Sequence, residues 1–252
     1  MLIRYGSYLA ERWYVSLDGF SRVDNSRLNT NFSGLISNDA VSKMGWSAMI
    51  GWTNRDAWAI EGGFSRSPIH TRLTTNSRPA ITLQFTNEKN ALFLRAKRQI
   101  LSTSPRGHRS GFWLSAGLWL IPNMGLGKNG FLMEGRSYQH FQAHPDTLLL
   151  SGQTATNRNA TGMAELGLEY AIRLSSRLDL GLFVRKNWGL GSSITTDLQY
   201  SVNNGQPQLA QIRGTGSGAS VGMTLRYTYS RRHEIAKTNI FDLRGNRSRL
   251  GL

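Results

Sequence analysis

The feature that most constrains this chain is an alternation of apolar and polar side chains that recurs eight times along the sequence. It is clearest where Leu166 and Leu168 alternate with Glu165 and Glu169. Successive side chains of a β-strand point to opposite faces, so the pattern predicts strands with one apolar and one polar face. Most runs approach the roughly 10 residues that a tilted strand needs to cross a bilayer. The eight segments are residues 13–20, 43–52, 58–65, 92–97, 112–120, 164–173, 178–185 and 219–228.

The composition agrees with an all-β chain and excludes several kinds of site. Gly accounts for 27 of the 252 residues, Pro for 6 and aromatic residues for 10%, a mixture that favours extended chain over helices. There is no Cys, so disulfides, thiolate metal sites and Cys nucleophiles are excluded. The net charge is +15, but the basic residues are scattered without a single stripe, so we expect no nucleic-acid binding.

The polar faces of the segments carry Gly, Ser, Thr and isolated charges, whereas the apolar faces carry almost no charge. Apolar side chains that point outward are stable where the solvent is hydrocarbon, and there the sheet must close because unpaired edge amides are costly. The sequence therefore predicts an all-β fold, an eight-stranded antiparallel up-and-down transmembrane β-barrel with long extracellular loops. Short connections are residues 54–56, 101–110 and 175–177, and long ones are residues 24–41, 66–90, 122–161 and 190–216.

This alternation of short and long connections places both chain termini at the short-turn, periplasmic end. We expect residues 1–12 to form a periplasmic N-terminal segment, residues 13–229 the barrel and residues 230–252 a basic periplasmic tail. Residues 1–12 lack the basic and apolar regions of a signal peptide. The basic residues of the tail are Arg231, Arg232, Lys237, Arg244, Arg247 and Arg249.

Over residues 12 to 229 the chain resembles the small outer-membrane β-barrels of Gram-negative bacteria, of the OmpA and OmpX type. The last segment is similar to the signal by which the barrel-assembly machinery recognises such proteins, carried here by Ser220, Gly222, Leu225 and Tyr227. The resemblance implies location in the bacterial outer membrane, insertion by that machinery, contact with outer-membrane lipids and, as an open alternative, a partner complex in the envelope. Those barrels often end at this strand, whereas this chain continues to Leu252.

The charges on the polar faces are expected to meet inside the barrel. An eight-stranded lumen is narrow enough for side chains to fill, and an isolated buried ion is costly, so these charges must pair. We expect a plugged lumen with layers of ion pairs; a narrow channel through the same charges is the alternative. The predicted network comprises Asp18, Lys43, Glu61, Arg95, Lys97, Glu165, Glu169, Arg173, Asp179, Arg185 and Arg226.

Aromatic residues are predicted to mark the two membrane interfaces, where Trp and Tyr anchor. The aromatic positions played no part in defining the strands, so they support the barrel independently. The predicted girdle comprises Trp13, Trp52, Trp58, Phe112, Tyr170, Tyr227 and Tyr229 at the short-turn end and Trp188 at the opposite rim.

Other candidate chemistry is sparse. His140, His144 and Asp146 form the clearest acid-base or metal-type cluster, but nothing nearby supplies a paired nucleophile, so we expect no catalytic residue, metal or cofactor. The Gly-rich run at residues 214–218 lacks the helix and Lys-Ser/Thr of a phosphate loop. An outer-membrane enzyme of the lipid A-modifying or protease type and a soluble lipocalin-like barrel with inward apolar faces are the alternatives.

Arginines in the long connections suggest what the outer side of the barrel contacts. A guanidinium group binds phosphate in bidentate fashion, and lipopolysaccharide presents phosphates in the outer leaflet. We therefore expect a structural or surface-binding role through the outer loops, with lipopolysaccharide among the partners. The arginines are Arg27, Arg72, Arg78, Arg136, Arg158 and Arg213.

Overall fold

The computed structural model describes residues 7–66, 69–75, 81–87, 90–103, 110–122, 128–137, 146–156 and 160–235. In these ranges the chain is built from strands, and no described helix is long and apolar enough to cross a membrane. The strands are β1 (Ser7–Leu28), β2 (Ile36–Asn38), β3 (Val41–Asn54), β4 (Trp58–Arg66), β5 (Ile69–Thr75), β6 (Thr82–Asn87), β7 (Asn90–Ser102), β8 (Gly111–Ile121), β9 (Lys128–Ser137), β10 (Asp146–Thr156), β11 (Thr161–Arg173), β12 (Leu178–Gly189), β13 (Ile194–Val202) and β14 (Gln208–Ile235).

Eight of these strands form a closed barrel. They follow one another around the wall in the order β1-β3-β4-β7-β8-β11-β12-β14, each antiparallel to its neighbour, and β14 pairs with β1 to close the sheet. The closing seam runs from the Ser7–Ile235 pair to the Leu28–Ile212 pair. Each of the eight alternating segments lies in one of the barrel strands, so the predicted fold class is confirmed.

The apolar faces of the strands point away from the barrel, and the polar faces point into it. Leu166 and Leu182 are each 46% exposed, whereas Glu165 and Glu169 are 4% and 2% exposed. A belt of outward Leu and Val on a closed, even-stranded sheet is the architecture of proteins that cross the bacterial outer membrane. The lipocalin-like alternative requires the opposite facing and is wrong. The chain is an integral β-barrel of the bacterial outer membrane.

The connection between β3 and β4 is a tight turn, as its Asn-Arg-Asp sequence predicts. Arg55 and Asp56 both have positive φ, 51° and 49°, and the amide of Ala57 donates to the carbonyl of Asn54 at 3.0 Å. Two consecutive left-handed residues define a type I′ turn, whose twist matches that of the strands it joins. This turn fixes the register of the hairpin at the periplasmic end.

The long connections on the other side of the barrel differ from the loops that the sequence predicts, because they contain six strands. Strands β2, β5 and β6 form a separate sheet, and β13, β10 and β9 extend the barrel sheet from the outer end of β14. Apolar side chains of both sheets share a buried core, so this region, which we call the cap, is a folded unit. The buried core of the cap consists of Phe32, Ile36, Leu73, Leu150, Leu198, Ala210 and Ile212.

The paired strands extend beyond the predicted limits of the barrel, residues 13 and 229. At the periplasmic end of the seam, the additional strand pairing places Arg12 opposite Arg231 and Glu11 opposite Arg232. Two arginines of the predicted basic tail therefore belong to β14. The remaining basic residues of that tail, Lys237, Arg244, Arg247 and Arg249, lie outside the described residues.

Candidate functional site

Ion pairs fill the barrel lumen. Arg95 and Glu61 are the most deeply buried members, with no exposed surface. Because charges taken out of water are costly unless paired and hydrogen-bonded, their contacts decide whether the lumen is stable. Nine residues of the predicted network are buried, each 6% exposed or less: Asp18, Glu61, Arg95, Lys97, Glu165, Glu169, Asp179, Arg185 and Arg226.

Arg95 of β7 connects the neighbouring strand β4 with β11, two strands further around the wall. Its Nε and Nη2 donate to the two carboxylate oxygens of Glu165 at 2.6 and 3.2 Å, and its Nη1 donates to Glu61 Oε2 at 3.0 Å. The fork of the guanidinium matches a carboxylate in this bidentate arrangement. The indole Nε1 of Trp119 also donates to Glu165, at 3.0 Å. The Glu165 carboxylate therefore binds one side chain of β7 and one of β8.

A second layer lies on the periplasmic side of Arg95. Lys97 Nζ donates to Glu61 Oε1 at 2.8 Å and to Glu169 Oε2 at 2.6 Å. Arg226 pairs with Glu169 from the last strand, and the Tyr14 hydroxyl donates to Glu61 Oε1 at 2.8 Å. Each carboxylate therefore accepts from two or more donors, which is the condition under which buried charges are tolerated.

The ion pairs continue toward both ends of the barrel. On the outer side, Arg185 Nη1 donates to Asp18 Oδ2 at 2.9 Å. On the periplasmic side, Arg12 forms an ion pair with Asp179. The Nε of Arg12 also lies 3.1 Å from Oδ1 of Asp56 in the β3–β4 turn. The network thus spans the lumen from the turn to the outer half of the wall.

Glycines on the inward faces make room for the large side chains. A Cβ at Gly51 would lie 2.2 Å from Cζ of Tyr14, which is far inside van der Waals contact. The Tyr14 ring therefore fits against β3 because position 51 carries no side chain. Small inward residues and bulky charged ones alternate between neighbouring strands, as expected for a filled narrow barrel.

An apolar cluster closes the outer end of the lumen. Strand β5 lies across the opening, and its Ile69, 1% exposed, packs in a cluster that includes Met163 and Trp119. Trp119 also stacks on Phe93 with ring centroids 4.8 Å apart. The ion-pair network is therefore shielded from the cell exterior by packed apolar side chains.

A buried ion pair borders the apolar cluster. Arg22 Nε donates to Asp24 Oδ1 at 2.7 Å, and the His70 amide donates to Asp24 Oδ2 at 3.3 Å. Burial raises the pKa of the Asp24 carboxyl, and the Arg22 guanidinium opposes that rise. These contacts tie β5 to β1 above the membrane-spanning wall.

Two residues of the predicted network do not join it. Lys43 and Arg173 are exposed, although both lie on the inward register of their strands. Lys43 is near the outer end of β3, and Arg173 is the last residue of β11, where its Nε donates to the Ser175 carbonyl at 3.1 Å. Alternation predicts the face of a side chain but not whether its strand position lies within the filled length of the lumen.

The prediction also missed three members of the network: Arg12, Tyr14 and Asp56. Arg12 continues the inward alternation of β1 by one step beyond the predicted barrel limit, so the pattern could have identified it. Tyr14 occupies an inward position of the first segment but carries no charge. Asp56 sits in the turn, outside any alternation, and no local pattern indicates its contact with Arg12.

The predicted aromatic positions lie near the two rims. Near the short turns, Trp13 pairs with Trp52 across β1 and β3, and the rings of Phe112 and Tyr170 are 4.8 Å apart. Trp58, Tyr227 and Tyr229 are exposed at the same end, and Trp188 is exposed near the outer rim. Ser220, Gly222, Leu225 and Tyr227 lie in the barrel part of β14, and their recognition by the assembly machinery stays a prediction.

The remaining candidates contribute no catalytic arrangement in the part of the chain that the structure describes. His140 and His144 lie outside the described residues, and Asp146 Oδ1 accepts from Asn203 Nδ2 at 2.6 Å. No group of three or more His, Asp or Glu suited to a metal ion is present among the described residues. The Gly-rich run at residues 214–218 is a section of β14.

No family model and no curated protein matches this chain. Solved structures with a similar arrangement include the outer membrane protein OprG from Pseudomonas aeruginosa, at 12% identity and a TM-score of 0.43, covering 88% of this chain and 97% of that one. The outer membrane protease OmpT from Escherichia coli is similar at 11% identity and a TM-score of 0.40, covering 87% and 97%. The outer membrane protein AlkL is similar at 11% identity and a TM-score of 0.41, covering 91% and 95%.

Proposed function

We propose that this protein is a non-conducting outer-membrane barrel that holds the cap at the cell surface, with a structural or binding role rather than a catalytic one. The observation that carries the proposal is the lumen, in which Arg95, Glu61, Lys97 and Glu169 form two connected layers of ion pairs with at most 3% exposure. A continuous water path needs space that these side chains occupy.

The cap supports the same role. Its two sheets share a buried core in which Leu73, Leu198 and Ile212 are at most 1% exposed. A rigid sheet presents side chains at fixed positions, which suits recognition better than irregular loops do. The barrel then serves as the anchor, and the outward surface of the cap serves as the contact region.

The electrical test of this proposal uses the purified full chain in planar lipid bilayers. Because the ion pairs and the apolar cluster both obstruct the lumen, we expect no stable single-channel conductance above the bare bilayer. Liposome swelling with small sugars is expected to give the same result. A large, stable and reproducible conductance step would reject the non-conducting barrel and favour the channel alternative.

A further inference from the structure

The outer end of the barrel seam carries two directly opposed arginines. Arg27 of β1 and Arg213 of β14 are directly opposite each other in the antiparallel register, and both are exposed. Like charges in directly opposed positions destabilise a sheet. Neither guanidinium has a carboxylate partner among the described residues, and the printed contact of Arg213 is donation from Nε to Gln211 Oε1 at 2.5 Å. Binding of an anion from outside the chain would therefore stabilise the pair.

The position of this pair relates it to the membrane. Residues 221, 223 and 225 of β14 are outward, apolar and exposed, and outward alternation along the same strand continues to Arg213. On β1, Arg27 follows the exposed Val23 by four residues, about 13 Å along a strand. The arginine pair thus lies beyond the outer end of the lipid-facing wall, where we expect the outer-leaflet headgroups.

A third cation lies on the same surface. Lys186 of β12 is exposed on the outward face and pairs with Ala219 of β14, just above the lipid-facing stretch of that strand. The outward face is otherwise apolar in this part of the wall, with Val184 59% and Val221 57% exposed. From Lys186 to Arg213 the outward surface changes from a hydrocarbon-facing one to a cationic one.

Beyond the arginines, the outward face of the cap becomes a polar groove. A cavity of about 550 Å³ is lined by Gln153, Asp197 and Gln199, with Leu132 and Leu209 on its sides. Asp197 Oδ1 accepts from Gln211 Nε2 at 2.6 Å, so the groove is connected to the arginine pair through Gln211. The side-chain amides of Gln153 and Gln199 have no partner among the described residues. Amide and carboxylate groups in a shallow groove match the hydroxyl groups of a saccharide.

We propose that the outward surface running from Lys186 through Arg27 and Arg213 to this groove binds the phosphorylated saccharide headgroup of a glycolipid in the outer leaflet. The arginine pair holds phosphate, and Gln153, Asp197 and Gln199 contact sugar hydroxyls. Continuity of this surface with the lipid-facing wall favours a membrane glycolipid over a soluble glycan. The inference rests on the proposed surface-binding role, but it does not depend on whether the lumen conducts.

The test measures binding of diphosphorylated lipid A to the purified full chain in detergent. We expect Arg27→Ser/Arg213→Ser to weaken binding by about tenfold or more, because two charge-assisted contacts to phosphate are lost. Arg27→Lys/Arg213→Lys keeps the charge without the bidentate fork, and we expect an intermediate loss. The matched control, Arg173→Ser/Arg232→Ser, removes two exposed arginines at the periplasmic end of the barrel and should bind as the original chain does.

The saccharide part of the proposal has its own variant. Gln153→Ala/Gln199→Ala is expected to weaken binding of a glycolipid that carries the core saccharide by several-fold and to leave lipid A binding unchanged. Gln84→Ala on the exposed side of β6 is the control for this change. Heat-modifiable migration on unboiled gels verifies that each variant retains the closed barrel.

Four results would overturn the inference. Unchanged lipid A affinity in the Arg27/Arg213 variants would remove the site, and an equal loss in the Arg173/Arg232 control would mean attraction by net charge alone. Inorganic phosphate that binds as tightly as lipid A would indicate a free-anion site. Phosphatidylglycerol that binds as tightly would indicate a site for any anionic lipid. The conductance measurement is independent of all four, so the inference and the proposed function fail separately.

Discussion

Replacing Arg95 by Met is expected to lower the free energy of unfolding by about 3–5 kcal/mol, the range for breaking a buried ion pair by removing one partner. Arg95 donates to both Glu165 and Glu61 and has no exposed surface, so its removal leaves Glu165 without its bidentate partner and Glu61 with one donor fewer. Urea unfolding in lipid vesicles, monitored by Trp fluorescence and by unboiled gel migration, measures the change.

Two further variants separate charge pairing from loss of packing. Arg173→Met removes the same side chain from an exposed position, and we expect a change within about 0.5 kcal/mol. Arg95→Met/Glu165→Gln also removes the carboxylate charge that has lost its bidentate partner, so it should recover part of the lost stability. A single Arg95→Met variant as stable as Arg173→Met would contradict the ion-pair account of the lumen.

Replacing Leu168 by Arg is expected to destabilise the protein in a bilayer by about 2–4 kcal/mol, the cost of a basic side chain on the lipid face near the midplane of a barrel. Leu168 is 45% exposed and lies between Leu114 and Val184, two other outward residues. If water surrounded this surface, an exposed Leu-to-Arg change would be nearly neutral. The experiment therefore distinguishes hydrocarbon from water as the solvent of the barrel wall.

The cap provides the matched control for this change. Leu209 is 71% exposed, more than Leu168, and lies on the outward face of the cap sheet. We expect Leu209→Arg to change stability by no more than about 0.5 kcal/mol, because that surface faces water. Equal effects of the two substitutions on unfolding in vesicles would argue against a membrane boundary between them.

The barrel strands could be predicted from the sequence because the two faces of each strand meet different surroundings. Leu166, Leu168 and Leu182 meet hydrocarbon, whereas Glu165 and Glu169 meet the ionic lumen, so a strict period of two follows. The cap strands have weaker patterns, although Ile194, Thr196 and Leu198 alternate inward. Their short runs lie among Asn, Ser, Thr and Gly residues, a composition that also indicates loops.

The partners within the lumen could not be predicted in the same way. Arg12 and Asp179 are separated by 167 residues, and Arg95 and Glu165 by 70. Alternation places such residues inside the barrel, but the pairing depends on strand tilt and stagger, which bring positions of different strands to one height. For the same reason, the sequence does not predict that Arg27 and Arg213 oppose each other, because their register follows from the closure of the seam.

The most direct test of the central claim is a cysteine scan along β14, made possible because the chain contains no Cys. Single cysteines at outward positions 209, 211 and 213 are expected to react with a membrane-impermeant maleimide on intact cells. Cysteines at outward positions 221, 223 and 225 are expected to stay unreactive because hydrocarbon covers them, as is a cysteine at the buried inward position 224. Labelling at position 223 as fast as at position 211 would show that water reaches this face and would contradict the membrane-spanning barrel.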